Sequence, residues 1–332
     1  MKRLRAPAEA ADIDHAGEII AAAGAHLEAR VVGQRQLRES LLLALLTGGH
    51  ILLESAPGLA KTTAAATLAE AIDGTFSRIQ CTPDLMPSDI IGSQVYDARA
   101  AAFSTRLGPV HANIVLLDEI NRAGAKTQSA MLEAMQEKQV TIGGERFELP
   151  RPFLVLATQN PLEHEGTYRL PEAQLDRFMF KEVLDYPSPE EEKEILRRVD
   201  AGVFDSPAPQ ARISRDDVKR LVDCARSVYI DPALTDYLVR LVQVTRHPHG
   251  VLHPALAAAI DCGASPRASI AMTAGARALA LVRGRAFVIP EDVKAIAHRV
   301  LRHRIVLGFE ADADGLTTDT VVDALLTTVP TP

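Results

Sequence analysis

The chain has 332 residues, 47% of them hydrophobic and 24% charged, which argues against a disordered chain; no apolar run approaches the ~18 residues a membrane span needs. A formal net charge of −7, no tryptophan and only 4% aromatic residues disfavour nucleic acid as a partner, because little is offered to phosphate backbones or to stacked bases. Cys81, Cys224 and Cys262 stand far apart, which argues against a disulfide framework or a zinc site and favours a reducing, cytoplasmic setting.

At ~100–200 residues per domain, two domains are expected: a flexible tail over 1–12, an α/β domain over 13–187 and a helical domain over 188–332. The basic start Met1–Arg5 runs into Ala-Pro-Ala-Glu rather than an apolar core, so neither export nor membrane insertion is read from it. Apolar or β-branched runs at 50–54, 75–80, 113–117, 152–157 and 180–184 alternate with helical patterns, as in a parallel sheet covered by helices. Between the third and fourth runs, Gly143-Gly144 separates two alternating stretches within 139–149, the signature of a β-hairpin. After Pro189 helical patterns prevail. Their starts are marked by Ser214 three residues before Asp217, Asp231 before Pro232, and Ile289-Pro290-Glu291-Asp292.

Three segments carry candidate chemistry. Ile51–Thr63 reads as a strand, a Pro/Gly loop and a Lys-Thr pair opening a helix, the layout in which backbone N–H groups surround phosphate while a lysine and a hydroxyl serve phosphate and Mg²⁺. Gly58, Lys61 and Thr62 meet those needs. Ser55 and Ala60 occupy the two glycine positions of the strict pattern, so an ordinary strand-to-helix turn stays open on this segment alone. At Ser55 a backbone of positive φ is expected, with its strain. Ile114–Asn121 delivers Asp118 and Glu119 at a strand's C-terminal end, where open α/β sheets bind ligands; Asp118 suits Mg²⁺ and Glu119 suits an attacking water, while an acidic loop is the plain alternative. Phe153–Pro161 is a further apolar strand ending at Asn160, equally readable as a routine turn.

Together, Val32-Gly33-Gln34, Ala56–Thr62, Leu117–Ala123, Ala157–Pro161, Leu175–Phe178 and Gly263–Ser269 resemble MoxR-type AAA+ ATPases, in order and over about residues 30–305. The resemblance implies a P-loop NTPase α/β fold, a parallel five-stranded sheet sandwiched by helices, followed by a C-terminal all-α lid. It implies ATP and Mg²⁺ as cofactors. Ala56, Pro57, Gly58, Leu59, Ala60, Lys61, Thr62 and Thr63 would hold nucleotide, Val32 and Gly33 would lie near adenine, and Thr62 and Asp118 would hold the metal. Glu119 would be the base, Asn160 the first sensor, Arg177 a finger acting on a neighbour's nucleotide and Arg267 the second sensor. The segment 84–109 matches a family insertion. The implied working form is a homo-hexamer that remodels or matures a protein client containing a von Willebrand factor A domain. A DNA-directed motor and a non-hydrolysing, nucleotide-gated scaffold are the alternatives.

Other features read more plainly. Asp176 beside Arg177 would neutralise a surface arginine; Arg299, Arg302, His303 and Arg304 read as a solvated helix face. His247, His249 and His253 lie in a Pro/Gly loop without the rest of a ligand set. Ala130, Met131, Ala134 and Met135 share one helix face, a core pattern.

Overall fold

In the computed structural model the alternating runs build one five-stranded sheet, ordered β2-β5-β8-β1-β9. Residues 10–99, 101–161, 168, 170–204, 213–313 and 315–332 are described; residues 1–9 of the expected tail lie outside them. The chain opens with α1 (Ala10–Arg30) and α2 (Arg35–Thr47), then β1 (Ile51–Ser55), α3 (Lys61–Ala71) and β2 (Phe76–Gln80). A short helix α4 (Pro87–Ile91) leads into an antiparallel hairpin, β3 (Gly92–Asp97) and β4 (Ala102–Leu107), before β5 (Ile114–Asp118) and α5 (Ala125–Glu137). A second hairpin, β6 (Gln139–Ile142) and β7 (Glu145–Glu148), turns at Gly143 and Gly144, both with positive φ as a tight two-residue turn demands. Then come β8 (Leu154–Gln159), α6 (Glu172–Leu175), β9 (Phe180–Leu184) and α7 (Pro189–Asp200).

The remaining elements are α8 (Arg215–Ser227), α9 (Pro232–Arg246), α10 (Pro254–Ala259), β10 (Ile260–Cys262), α11 (Pro266–Val282), α12 (Pro290–Leu301), β11 (Val306–Leu307), α13 (Phe309–Ala313) and α14 (Thr318–Thr328). Two compact units interleave along the chain: an α/β unit of Ile19–Leu170 and Glu182–Lys219, and a helical unit of Pro171–Lys181, Arg220–Pro332 and the described residues up to Glu18, from Ala10 on. α7 therefore groups with the sheet, although the helical pattern sets in ahead of it. No helix among the described residues is long and apolar enough to cross a membrane.

β5 is buried along its whole length and β8 in all but its last residue, so they need no polar alternation. They pair in parallel register with Leu116 opposite Leu156, and β2 pairs in parallel with β5, placing Gln80 opposite Asp118. At the N-terminal ends of the strands, buried Asn113 accepts from the Thr75 N–H and donates to the Pro152 carbonyl, linking three strand entries. Buried His50 accepts from the Val155 N–H through Nδ1, so its Nε2–H faces the Met135 carbonyl at 3.1 Å. Burial holds this imidazole neutral, with its pKa lowered to about 4. The strand entries are thus fixed by side chains that a propensity reading counts as strand residues.

In the helical unit, α9, α11, α12 and α14 bury Leu238, Met272, Leu279, Ile296 and Val322 against one another. Ser214 and Asp217 exchange capping hydrogen bonds at α8, and the Asp231 carboxylate caps α9 at the Ala233 N–H. Asp292 accepts from the Ile289 N–H and, fully buried, also from Arg283 and Arg285. The solvated face expected for the basic run is corrected here: Arg299, His303 and Arg304 are buried. A carboxylate far away in sequence, Asp176, receives Arg304 Nε at 2.7 Å, and the cost of burying a guanidinium is offset by that pair and by four backbone carbonyls.

Candidate functional site

β1 ends at Ser55 and the chain turns through Ala56–Ala60 into α3. The loop spends its left-handed backbone at Gly58 (φ 83°) and Ala60 (φ 54°). Ser55, the last residue of β1, is not among the positive-φ residues, so the strain expected at this serine is absent. It is buried, and its hydroxyl accepts a hydrogen bond from Lys61 Nζ at 2.7 Å, while the Ala56 carbonyl takes a second at 3.1 Å. The departure from glycine thus has a use, because it anchors the ammonium. Burial pulls the Lys61 pKa below the ordinary lysine value, and the charges of Asp118 and Glu119 pull it back.

Asp118 and Glu119 stand at the C-terminal end of β5. The Asp118 carboxylate is buried; Oδ2 accepts from Arg78 Nε at 2.7 Å and lies in ion-pair contact with Nη2 at the same distance, while Oδ1 accepts from the Thr158 hydroxyl at 3.2 Å. Glu119 takes a left-handed backbone (φ 57°), its N–H donating to Thr158 Oγ1 at 2.9 Å. Its Oε2 accepts from Gln80 Nε2 and Arg122 Nη1, both at 3.1 Å. Cys81, beside this pair, is pushed up to about 12 by burial and then by the two carboxylates, so it is a thiol and no nucleophile.

A cavity of about 360 Å³ collects these groups. Lys61, Thr62 and the loop form one wall, and Asp118, Glu119 and Asn160 from neighbouring strand ends form the other. A second cavity of about 500 Å³ shares Gly58, Ala60 and Thr63 with the first and is otherwise lined by Val32, Ile195 and Phe204, among others. A polar chamber therefore adjoins a more apolar one across the loop. Gly33, next to Val32, has φ 63°, and a Cβ built there would run into the Glu191 carboxylate.

Residues 50–180 match the ATPase family associated with various cellular activities (AAA), and residues 254–325 match the AAA lid domain. Chaperone MoxR1 of Mycobacterium tuberculosis is 53% identical over 302 residues, 91% of this chain and 79% of that protein. The chain belongs to the MoxR family of AAA ATPases. The Bacillus subtilis protein YeaC is 43% identical over 92% of this chain and 93% of its own length. The crystal structure of a Cytophaga hutchinsonii protein described as a candidate ATPase superposes with a TM-score of 0.91 at 44% identity, covering 97% of each chain.

The two arginines that the MoxR resemblance singled out belong to the helical unit. Arg177 follows α6 and is half-buried; Arg267 lies in the first turn of α11 and is exposed. Asp176 does not neutralise Arg177: its oxygens are taken by Arg304 and by the Ser265 hydroxyl at 2.7 Å. Ser265 in turn caps α11 at the Arg267 N–H. His253 caps α10. Three cavity residues escape the sequence reading: Arg78 and Gln80 on β2, and Thr158 on β8. Their one sequence signal is position, since each lies within two residues of a strand's C-terminal end.

Proposed function

We propose that this MoxR-family protein binds ATP with Mg²⁺ in the paired cavities, hydrolyses it, and uses the cycle to act on a protein client in a chaperone-like role. The observation that carries the reading is the convergence of Lys61, Asp118, Glu119 and Asn160 on one cavity, from strand ends far apart in sequence. The residues fit a magnesium nucleotide. No side chain caps the N-terminus of α3, an ideal Cβ on Gly58 would meet nothing within 4 Å, and Asp118 already carries a cationic partner.

Asp118 and Thr62 would hold the metal, which when bound neutralises charge on the phosphate oxygens. Lys61, kept in place by Ser55, reaches toward the phosphates. Glu119 accepts the proton of the attacking water once its own hydrogen bonds to Gln80 and Arg122 are exchanged. Asn160 orients that water and a terminal phosphate oxygen. In this reading the adenine lies by Val32 and Gly33, Arg267 acts on the nucleotide of its own subunit, and Arg177 acts on that of the next. The last role requires a ring, a homo-hexamer, whose client carries a von Willebrand factor A domain. The setting is the cytoplasm, in keeping with three free cysteines.

Glu119→Gln tests it. The amide keeps the shape of the carboxylate but cannot take a proton, so steady-state hydrolysis should fall about 10²-fold or more while nucleotide stays bound. Sizing in ATP should show the variant shifted to larger species, retaining the client on pull-down. Wild-type turnover removes Glu119 as the base, and a nucleotide-bound monomer removes the ring.

A further inference from the structure

The geometry points to Arg78 as a resident cation: its guanidinium holds Asp118 until a divalent metal arriving with phosphate takes its place. The inference rests on the nucleotide-site reading above. Both carboxylate oxygens of Asp118 are engaged by groups of the protein itself, Oδ2 by two nitrogens of Arg78 at 2.7 Å and Oδ1 by Thr158. With 9% of its side chain exposed, Asp118 without Arg78 would keep only the Thr158 hydroxyl and the more distant charge of Lys61, so a cation directly on Oδ2 is favoured.

Arg78 is built to leave. It sits on the edge strand β2, 52% of its side chain is exposed, and it lines the phosphate side of the cavity. Among the described residues its guanidinium is held only by Asp118, in contrast to buried Arg304 with its carboxylate and backbone partners. A phosphate chain in the same cavity offers the displaced fork new oxygens of matching geometry. Metal alone must therefore compete with an intramolecular guanidinium, whereas metal and nucleotide together satisfy both Asp118 and Arg78. The two ligands should bind cooperatively, each raising the other's affinity by the same factor.

Two titrations on the full chain test the exchange: Mn²⁺ binding by electron paramagnetic resonance without nucleotide, and binding of a fluorescent ADP analogue in EDTA. Arg78→Gln should bind Mn²⁺ about tenfold or more tighter and metal-free nucleotide about tenfold or more weaker, opposite signs that a merely structural role would not give. Arg78→Lys keeps the charge without the fork, and should bind Mn²⁺ more tightly than wild type does. Unchanged or weaker Mn²⁺ binding in Arg78→Gln overturns the proposal, as does an Arg78→Lys variant indistinguishable from wild type, which would leave charge alone acting. Lys61→Ala separates the two readings. If it binds the analogue as well as wild type, the nucleotide site itself is misplaced; if it loses the analogue while Arg78→Gln leaves Mn²⁺ unaffected, only the exchange fails.

Discussion

Restoring glycine at position 55 should weaken this protein. The phosphate-loop pattern has glycine there, so Ser55→Gly would improve nucleotide binding if the serine were a defect. Ser55 instead lies in strand geometry with 3% exposure and accepts from Lys61 Nζ at 2.7 Å. A hydrogen bond from a charged group contributes about 1.5–3 kcal/mol. Lys61 is partly solvated and keeps the Ala56 carbonyl, so the loss falls below that range, about 1 kcal/mol. Glycine inside a strand costs roughly 0.5–1 kcal/mol more in chain entropy. The sum is about 2 kcal/mol, to be read from urea unfolding of the nucleotide-free protein followed by far-UV circular dichroism. Calorimetric titration should find nucleotide affinity unchanged or a few-fold weaker. A variant as stable as wild type, or one binding nucleotide about tenfold tighter, equivalent to about 1.4 kcal/mol, would refute the reasoning.

Gly33→Ala should cost about 1–2 kcal/mol in urea unfolding, because its backbone has positive φ and the new Cβ would displace the Glu191 carboxylate. Glu191 also accepts from the Ser188 N–H to cap α7, the helix that carries Ile195 into the second cavity, so nucleotide Kd should rise several-fold while turnover at saturating ATP stays near wild type. Unchanged Kd would detach that cavity from the nucleotide. Acid should destabilise the fold: the unfolded chain protonates His50 below its ordinary value of 6.5, the folded chain only near about 4, and burial lowers His303 in the same direction. Stability is therefore full above pH 6.5 and falls as pH drops toward 4, by about 2 kcal/mol at pH 5 from His50 alone. His50→Gln should flatten that slope in urea unfolding at pH 7 and pH 5; an unchanged slope would remove His50 as its source.

The sheet is legible in the sequence because its inner strands are buried on both faces, and continuous apolar runs such as Ile114–Leu117 have little else to form. The strand ends are not. His50, Thr75 and Asn113 look like strand residues and instead tie strand entries together through partners up to 105 positions away. The phosphate loop and the Asp118-Glu119 pair are legible since their chemistry is local in sequence. Arg78 is not, because a lone arginine on an exposed edge strand looks solvated, and its partner comes 40 residues later. The same reason hid Arg304, whose carboxylate lies 128 residues upstream. The hairpin of β3 and β4 is missed because the sequence between its strands holds no glycine or proline.

Asp176 gives the two arginines of the helical unit a common mounting. One of its oxygens carries Arg304, which also grips the carbonyls of residues 176, 178 and 179 around Arg177; the other carries Ser265, from which α11 and Arg267 begin. A displacement of residue 176 moves the bases of both guanidinium groups at once. Arg177 and Arg267 are therefore surveyed from a single benchmark: a substitution at Arg304 would loosen the mounting of Arg177 and one at Ser265 that of Arg267, each leaving the arginine itself unaltered in sequence.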